Sequence, residues 1–113
     1  MMLYKGDIWL VNLNPIRKNN EMGKIRPAIV FQNNELNQNN YPTTIIIPLS
    51  TVLIDDAQPI RFRIKKRDSL KEDSDIVITQ IRAIDNSRFV KKIASLTIDE
   101  IEIVKQLLDE VLE

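Results

Sequence analysis

Pro59-Ile-Arg-Phe-Arg-Ile-Lys65 sets apolar Ile60, Phe62 and Ile64 at every second position and Arg61, Arg63 and Lys65 between them. Side chains alternate across a pleated strand, so this period of two predicts a strand with one face in the core and one face strongly cationic. More strands extend from it in both directions. On the N-terminal side, Thr43 to Leu49 is β-branched and continuous enough for a buried strand, and Pro48 near its end points to an edge or a bulge. Pro27-Ala-Ile-Val-Phe31 reads as a strand entered through Arg26, and Asp7-Ile-Trp-Leu-Val-Asn-Leu13 as another that stops at the turn Asn14-Pro15. On the C-terminal side, Asp75 to Ile84 reads as one strand and Lys92 to Ser95 as a short last one. Thr97 then opens a helix, with Glu100 three residues on to close a capping box. Ile101, Val104, Leu108, Val111 and Leu112 give it an apolar stripe to lay on the strands. Residues 16 to 25 form a polar loop with Gly23, and the Asn- and Gln-rich tract 32 to 42 suits a polar connection or a short helical turn. The expected architecture is mostly β with a C-terminal helix, an antiparallel barrel or curled sheet with the helix packed on it.

The 113 residues, 43% hydrophobic and 28% charged, predict one domain spanning 1–113. There is no cysteine, which excludes disulfides, thiolate metal sites and cysteine nucleophiles and suits a reducing cytoplasm. There is no histidine either, so a Ser-His-Asp triad, a His-liganded metal and a His-pair ribonuclease mechanism are excluded. An enzyme built from this chain works with Arg, carboxylates, hydroxyls or amides. Met1 to Asp7 lacks a long apolar leader, and the longest apolar stretch, Ile45 to Leu49, is far too short to span a bilayer, so neither export nor membrane association is expected.

Sixteen Lys and Arg balance sixteen Asp and Glu, but unevenly. Residues 97 to 113 hold six acids against Lys105 alone, a net of −5, which leaves +5 on the rest. Arg61, Arg63, Lys65, Lys66 and Arg67 form one basic run. Arg17, Lys18, Lys24 and Arg26 form a second cluster, answered locally only by Glu21. Such polarity fits a body that meets a polyanion with an acidic helix turned away from it, and equally ordinary solvated faces.

Four local patterns occur in a characteristic order: Gly6-Asp-Ile-Trp-Leu-Val-Asn-Leu-Asn-Pro15, Glu21 followed by Arg26-Pro27, Pro48-Leu-Ser-Thr51, and Gln80-Ile-Arg-Ala-Ile-Asp85. Together they span essentially the whole chain and resemble the MazF/PemK/Kid family of type II toxins. The resemblance implies an SH3-like barrel of the CcdB/Kid/MazF type, a homodimer, and sequence-selective cleavage of single-stranded RNA without a metal or other cofactor. It also implies a MazE-like antitoxin whose disordered tail fills the RNA groove.

Arg26 sits where the family's catalytic arginine lies. A guanidinium offers a rigid fork of donors to phosphate and keeps its charge at any working pH, so charge stabilisation is its first role and proton abstraction is hard to defend. Ser50 matches the position where the family more usually has Thr, and Thr51 supplies a second hydroxyl. Strand neighbours point to opposite faces, so only one of the two is expected to face a phosphate, and a strand-end hydroxyl can also bond its own turn. Glu21 can accept from a base amino group or orient Arg26, in a loop that otherwise departs from the family's text. Gln80 can satisfy a base edge or buried backbone, and Arg82 can contact phosphate or pair with Asp85. Some relatives carry an alternative catalytic Arg and Asp just before this Gln. Here Val77 and Thr79 stand there, which leaves Arg26 to carry the chemistry. Arg17, Lys18, Lys24, Arg61 and Arg63 are candidates for tracking phosphates outside the cut site, or for solubilising charge. The rival functional expectation is a non-catalytic module on the same scaffold, either a CcdB-like gyrase poison or a silent antitoxin binder.

Overall fold

Strands β1 (Asp7–Asn12), β2 (Ile25–Val30) and β3 (Thr43–Ser50) are apolar on both faces, which makes them the centre of the sheet. The structure, a computed structural model, describes residues 1–13 and 25–113. Ile8, Ile29 and Ile47 point to one side, and Val11, Ala28 and Ile46 to the other. β4 (Arg61–Ile64), β5 (Ser74–Val77), β6 (Arg82–Asp85) and β7 (Phe89–Ser95) complete an antiparallel sheet in the order β4-β5-β3-β2-β1-β7, with β6 also paired to β3. The expected mostly β architecture is thus present, as a curled sheet rather than a closed barrel.

β3 is not an edge strand. One side of it pairs with β2, and the other takes β6 against Thr43 to Ile46 and β5 against Leu49 and Ser50. Pro48 falls in the break between those two partners, where a missing N–H costs no ladder bond. The stretch expected as a single strand from Asp75 to Ile84 is divided for the same reason. A 3₁₀ turn at Ile78–Gln80 separates β5 from β6, and the pairing register against β3 slips by three residues across it. Ile78 anchors that turn, with its side chain fully buried and its N–H donating to Ile60 O at 2.8 Å. β7 starts earlier than expected, at Phe89, whose ring meets Trp9 edge-on at 5.6 Å.

The Asn-rich tract folds as one short helix, α1 (Asn34–Gln38), with the Asn33 side chain accepting from Glu35 N–H. The C-terminal helix, α2 (Ile98–Leu112), has its capping box: Thr97 Oγ1 accepts from Glu100 N at 3.1 Å and Glu100 Oε1 from Thr97 N at 2.9 Å. Glu100 also takes both terminal nitrogens of Arg67, which ties the 65–70 segment to the start of the helix. That guanidinium is the main reason the Glu100 carboxyl is held below its ordinary range. Val104 and Leu107 are the buried helix residues, flanked by Ile101, Leu108 and Val111. Leu107 was absent from the expected stripe. Leu112, expected in it, is the final helical residue and is 68% exposed. No helix among the described residues is long and apolar enough to cross a membrane.

The core has two parts. The larger lies between the sheet and α2 and joins Ile8, Ile29, Ile47, Ile76 and Ile78 to Val104 and Leu107. The smaller lies on the other face, where Val11, Ala28, Val30, Ile46 and Ile84 meet Leu3, Trp9 and Phe89.

Candidate active-site cleft

The pleat decides which side chains share the face away from α2. β1 pairs Val11 with Arg26, β2 pairs Ala28 with Pro48, and β3 pairs Ile46 with Arg82. Because the β2–β3 register advances in steps of one, its continuation by two residues sets Arg26 across from Ser50 on that face. β5 pairs Ser50 with Asp75, and β4 pairs Arg61 with Val77 and Arg63 with Asp75, so these residues belong to the same side.

At one end of this face lies a cleft of about 380 Å³, lined by Leu13, Arg26, Pro48, Leu49, Ser50, Arg61, Val77, Gln80 and Arg82. Among the described residues three guanidiniums line it and no carboxylate does. The acidic helix packs on the opposite face, as the charge asymmetry suggested. Arg26 is half-buried and Arg82 exposed, and neither has an acid within ion-pair distance among the described residues. Arg82 and Asp85 do not pair. Asp85 instead accepts from Ser87 N–H at 2.9 Å, which lowers its carboxyl below the ordinary value. A cleft in which Arg26 and Arg82 have no acid within ion-pair distance among the described residues suits an anion with bidentate geometry, which is what a phosphodiester presents.

Ser50 lines this cleft and Thr51 does not. Ser50 Oγ accepts from Val52 N–H at 3.1 Å, while its distance to Val52 O, 3.5 Å, is too long to hold the hydroxyl proton firmly. The hydroxyl therefore bonds its own turn as an acceptor and keeps its proton to donate to a ligand. Gln80 reaches the cleft because the 3₁₀ turn breaks the strand just before it. Arg17, Lys18, Glu21 and Lys24 lie outside the described residues.

The basic run that looked acid-free in sequence is answered in space. Arg61 Nη1 lies 3.2 Å from Asp75 Oδ2, Arg63 Nε 2.9 Å from Asp75 Oδ1, and Arg63 Nη1 2.6 Å from Asp55. The uniformly cationic face expected of β4 is therefore largely ion-paired, and Ile60, expected on its apolar side, is exposed. Arg63 faces a neighbouring cavity of about 630 Å³ together with Asp55, Asp56, Gln58 and Asp75, and Arg61 lines both cavities. Burial of Asp75 would by itself raise its pKa. The hydrogen bonds from Arg63, Ile54 N–H and Arg61 outweigh that and hold the carboxyl below its ordinary value, so it stays ionised. Asp75 is the residue of this region that sequence reasoning missed. An acid at the head of a β-branched run, next to other acids, carries no signal of its own until the register puts two arginines beside it.

Comparison with known proteins gives the family of the chain and agrees with its fold. Residues 4–112 match the family described as PemK-like, MazF-like toxin of type II toxin-antitoxin system. An endoribonuclease MazF of Staphylococcus saprophyticus is 33% identical over 110 residues, which cover 96% of this chain and 89% of that protein. Among solved structures, a MazE-MazF complex from Deinococcus radiodurans superposes with a TM-score of 0.79 at 18% identity, covering 99% of this chain and 96% of the other. Mycobacterium tuberculosis toxin MazF-mt6 does so at 0.76 and 11% identity, covering 94% and 95%. The fold is that of the PemK/MazF type of toxin. The chain belongs to that family, the toxins of type II toxin-antitoxin systems.

Proposed function

We propose that this protein is a sequence-selective endoribonuclease toxin that cuts single-stranded RNA in the cytoplasm by transphosphorylation, without a metal ion. The observation that carries the reading is the convergence of Arg26, Ser50, Gln80 and Arg82, together with Arg61, on one cleft whose lining holds no carboxylate among the described residues. In the reaction the ribose 2′-oxygen bonds to phosphorus and the bond from phosphorus to the 5′-oxygen breaks. The 2′-hydroxyl loses a proton and the leaving 5′-oxygen gains one, so no water is consumed. The products are a 2′,3′-cyclic phosphate and a 5′-hydroxyl. Negative charge builds on the non-bridging oxygens along the way. Arg26 stabilises it, Ser50 donates a hydrogen bond to it, and Arg82 and Arg61 hold the flanking backbone. Arg17, Lys18 and Lys24 track phosphates further out, Glu21 and Gln80 meet base edges, and Arg63, held by Asp55 and Asp75, is left out of the phosphate contacts. The guanidiniums supply the positive charge that a divalent cation provides in metal-dependent nucleases.

The chain acts as a homodimer and is neutralised by a MazE-like antitoxin whose acidic, disordered tail occupies the basic cleft. The MazE-MazF complex from Deinococcus radiodurans and a mycobacterial endoribonuclease in complex with its cognate antitoxin share this fold, which supports the pairing. Incubation of the purified protein with a labelled RNA pool in excess EDTA, followed by mapping of the fragment ends, tests the reading. Fragments ending in cyclic phosphate and 5′-hydroxyl are expected. No cleavage combined with capture of DNA gyrase would replace it with the non-catalytic reading.

A further inference from the structure

The turn after β3 carries Ser50 into the cleft, yet apolar packing does little to hold it: Val52, Leu53 and Ile54 are 69%, 42% and 50% exposed. Its geometry rests on hydrogen bonds. Val52 N–H donates to Ser50 Oγ at 3.1 Å, and Val52 O accepts from Arg61 Nη1 at 3.0 Å. The same Nη1 lies 3.2 Å from Asp75 Oδ2, which also accepts Ile54 N–H at 2.9 Å, and Asp75 Oδ1 takes Arg63 Nε at 2.9 Å. Asp75 is 1% exposed, sits across from Ser50 in the β3–β5 register, and binds both ends of the link between the turn and Arg61.

We propose that Asp75 is a positioning residue for RNA cleavage, acting through Arg61 and the Ser50–Ile54 turn; this rests on the endoribonuclease reading above. It touches no substrate. Its carboxylate fixes the direction of the Arg61 guanidinium, which then spans Val52 O and the cleft, and it clamps the turn at Ile54 so that the Ser50 hydroxyl meets the phosphate beside Arg26. The arrangement trades charge for placement. Asp75 offsets part of the positive charge of Arg61 and Arg63, so it weakens attraction for RNA while ordering the groups that act on it.

That trade gives a signature which a purely structural role lacks. Asp75→Asn removes one negative charge beside two arginines and loosens the turn. Cleavage kcat is expected to fall about tenfold or more, as misplaced catalytic groups cost. KM for a single-stranded RNA oligonucleotide stays level or drops, and its salt dependence steepens. A variant that was only partly folded would lose kcat in proportion to its folded fraction with KM and salt slope unmoved, and that pattern would overturn the proposal, as would an unchanged kcat. If Asp75→Asn does not fold, Arg61→Gln and Arg61→Lys decide. Positioning needs a guanidinium whose Nη1 meets both Val52 O and the Asp75 carboxylate while its remaining nitrogens face the cleft. Neither an amide nor a single ammonium nitrogen reproduces that, so kcat is expected to fall in both. Recovery of kcat in Arg61→Lys would reduce Arg61 to a bare charge and overturn the proposal. Wild-type protein that cuts no RNA would overturn the endoribonuclease reading and this proposal together, whereas full kcat in the variants overturns this proposal alone.

Discussion

Gly6 has φ +95°, and a Cβ built on it would lie 2.5 Å from Ile101 Cδ1 and 3.0 Å from Ile101 Cγ1 on α2. Its backbone cannot move aside freely, because its N–H donates to Val30 O and its carbonyl accepts from Leu96 N–H, both at 2.8 Å. Gly6→Ala therefore combines two penalties. A left-handed backbone costs a residue with a side chain about 1–2 kcal/mol. Forcing a methyl into the contact with Ile101 adds about 1–2 kcal/mol of overpacking, kept to the lower range because Cδ1 ends a side chain that can turn. The expected loss is about 2–4 kcal/mol, read in urea unfolding as a midpoint lowered by roughly 1–2 M. Ile101→Val separates the two parts. It deletes the Cδ1 atom, so on that background Gly6→Ala is expected to cost less by about 1 kcal/mol, with the backbone part intact. A Gly6→Ala protein within about 0.5 kcal/mol of wild type, inside the range of ordinary surface substitutions, would refute the reasoning.

Acid titration tests the two carboxylates tied to arginines. Glu100 and Asp75 have lowered folded-state pKa values, so their stabilisation is complete above the unfolded values near 4 and is lost as pH falls through the folded ones. Unfolding free energy measured from pH 3 to 7 should be flat above about pH 5 and fall below that; Glu100→Gln should be less stable at neutral pH with a shallower acid slope, and an unaltered slope would deny the Arg67–Glu100 bond its role. Ser50→Ala should lower cleavage kcat by about tenfold through loss of one donor, with Ser50→Thr close to wild type, since either hydroxyl can accept from Val52 N–H and donate to phosphate. Equal kcat in Ser50→Ala and wild type would reduce Ser50 to a turn residue.

Much of the fold was legible because its signals are local. The alternation in Pro59–Lys65, the β-branched run of β3 and the Thr97/Glu100 box each follow from a few neighbouring residues. What was not legible depends on pairing. Ile76, Val77 and Ile78 form one apolar run in sequence, and only the change of partner along β3 turns Ile78 into a 3₁₀ residue. Leu112 fits the helical stripe by spacing but ends the helix beyond the sheet's cover. The cleft divides in the same way. The Arg-Pro, Pro-Leu-Ser and Gln-Ile-Arg patterns pointed to Arg26, Ser50, Gln80 and Arg82, and the register draws all four to one lining. The Asp75 link to Arg61 and Arg63 was hidden, since 14 and 12 residues of chain separate the partners.

The most direct test of the central claim is single-turnover cleavage of an RNA oligonucleotide by Arg26→Gln protein whose folding is verified by its urea midpoint. The amide keeps hydrogen-bonding capacity and removes the charge. A guanidinium that stabilises the developing phosphorane charge predicts a rate lower by about 10²–10³, with the wild-type midpoint retained. A rate equal to wild type would contradict the account.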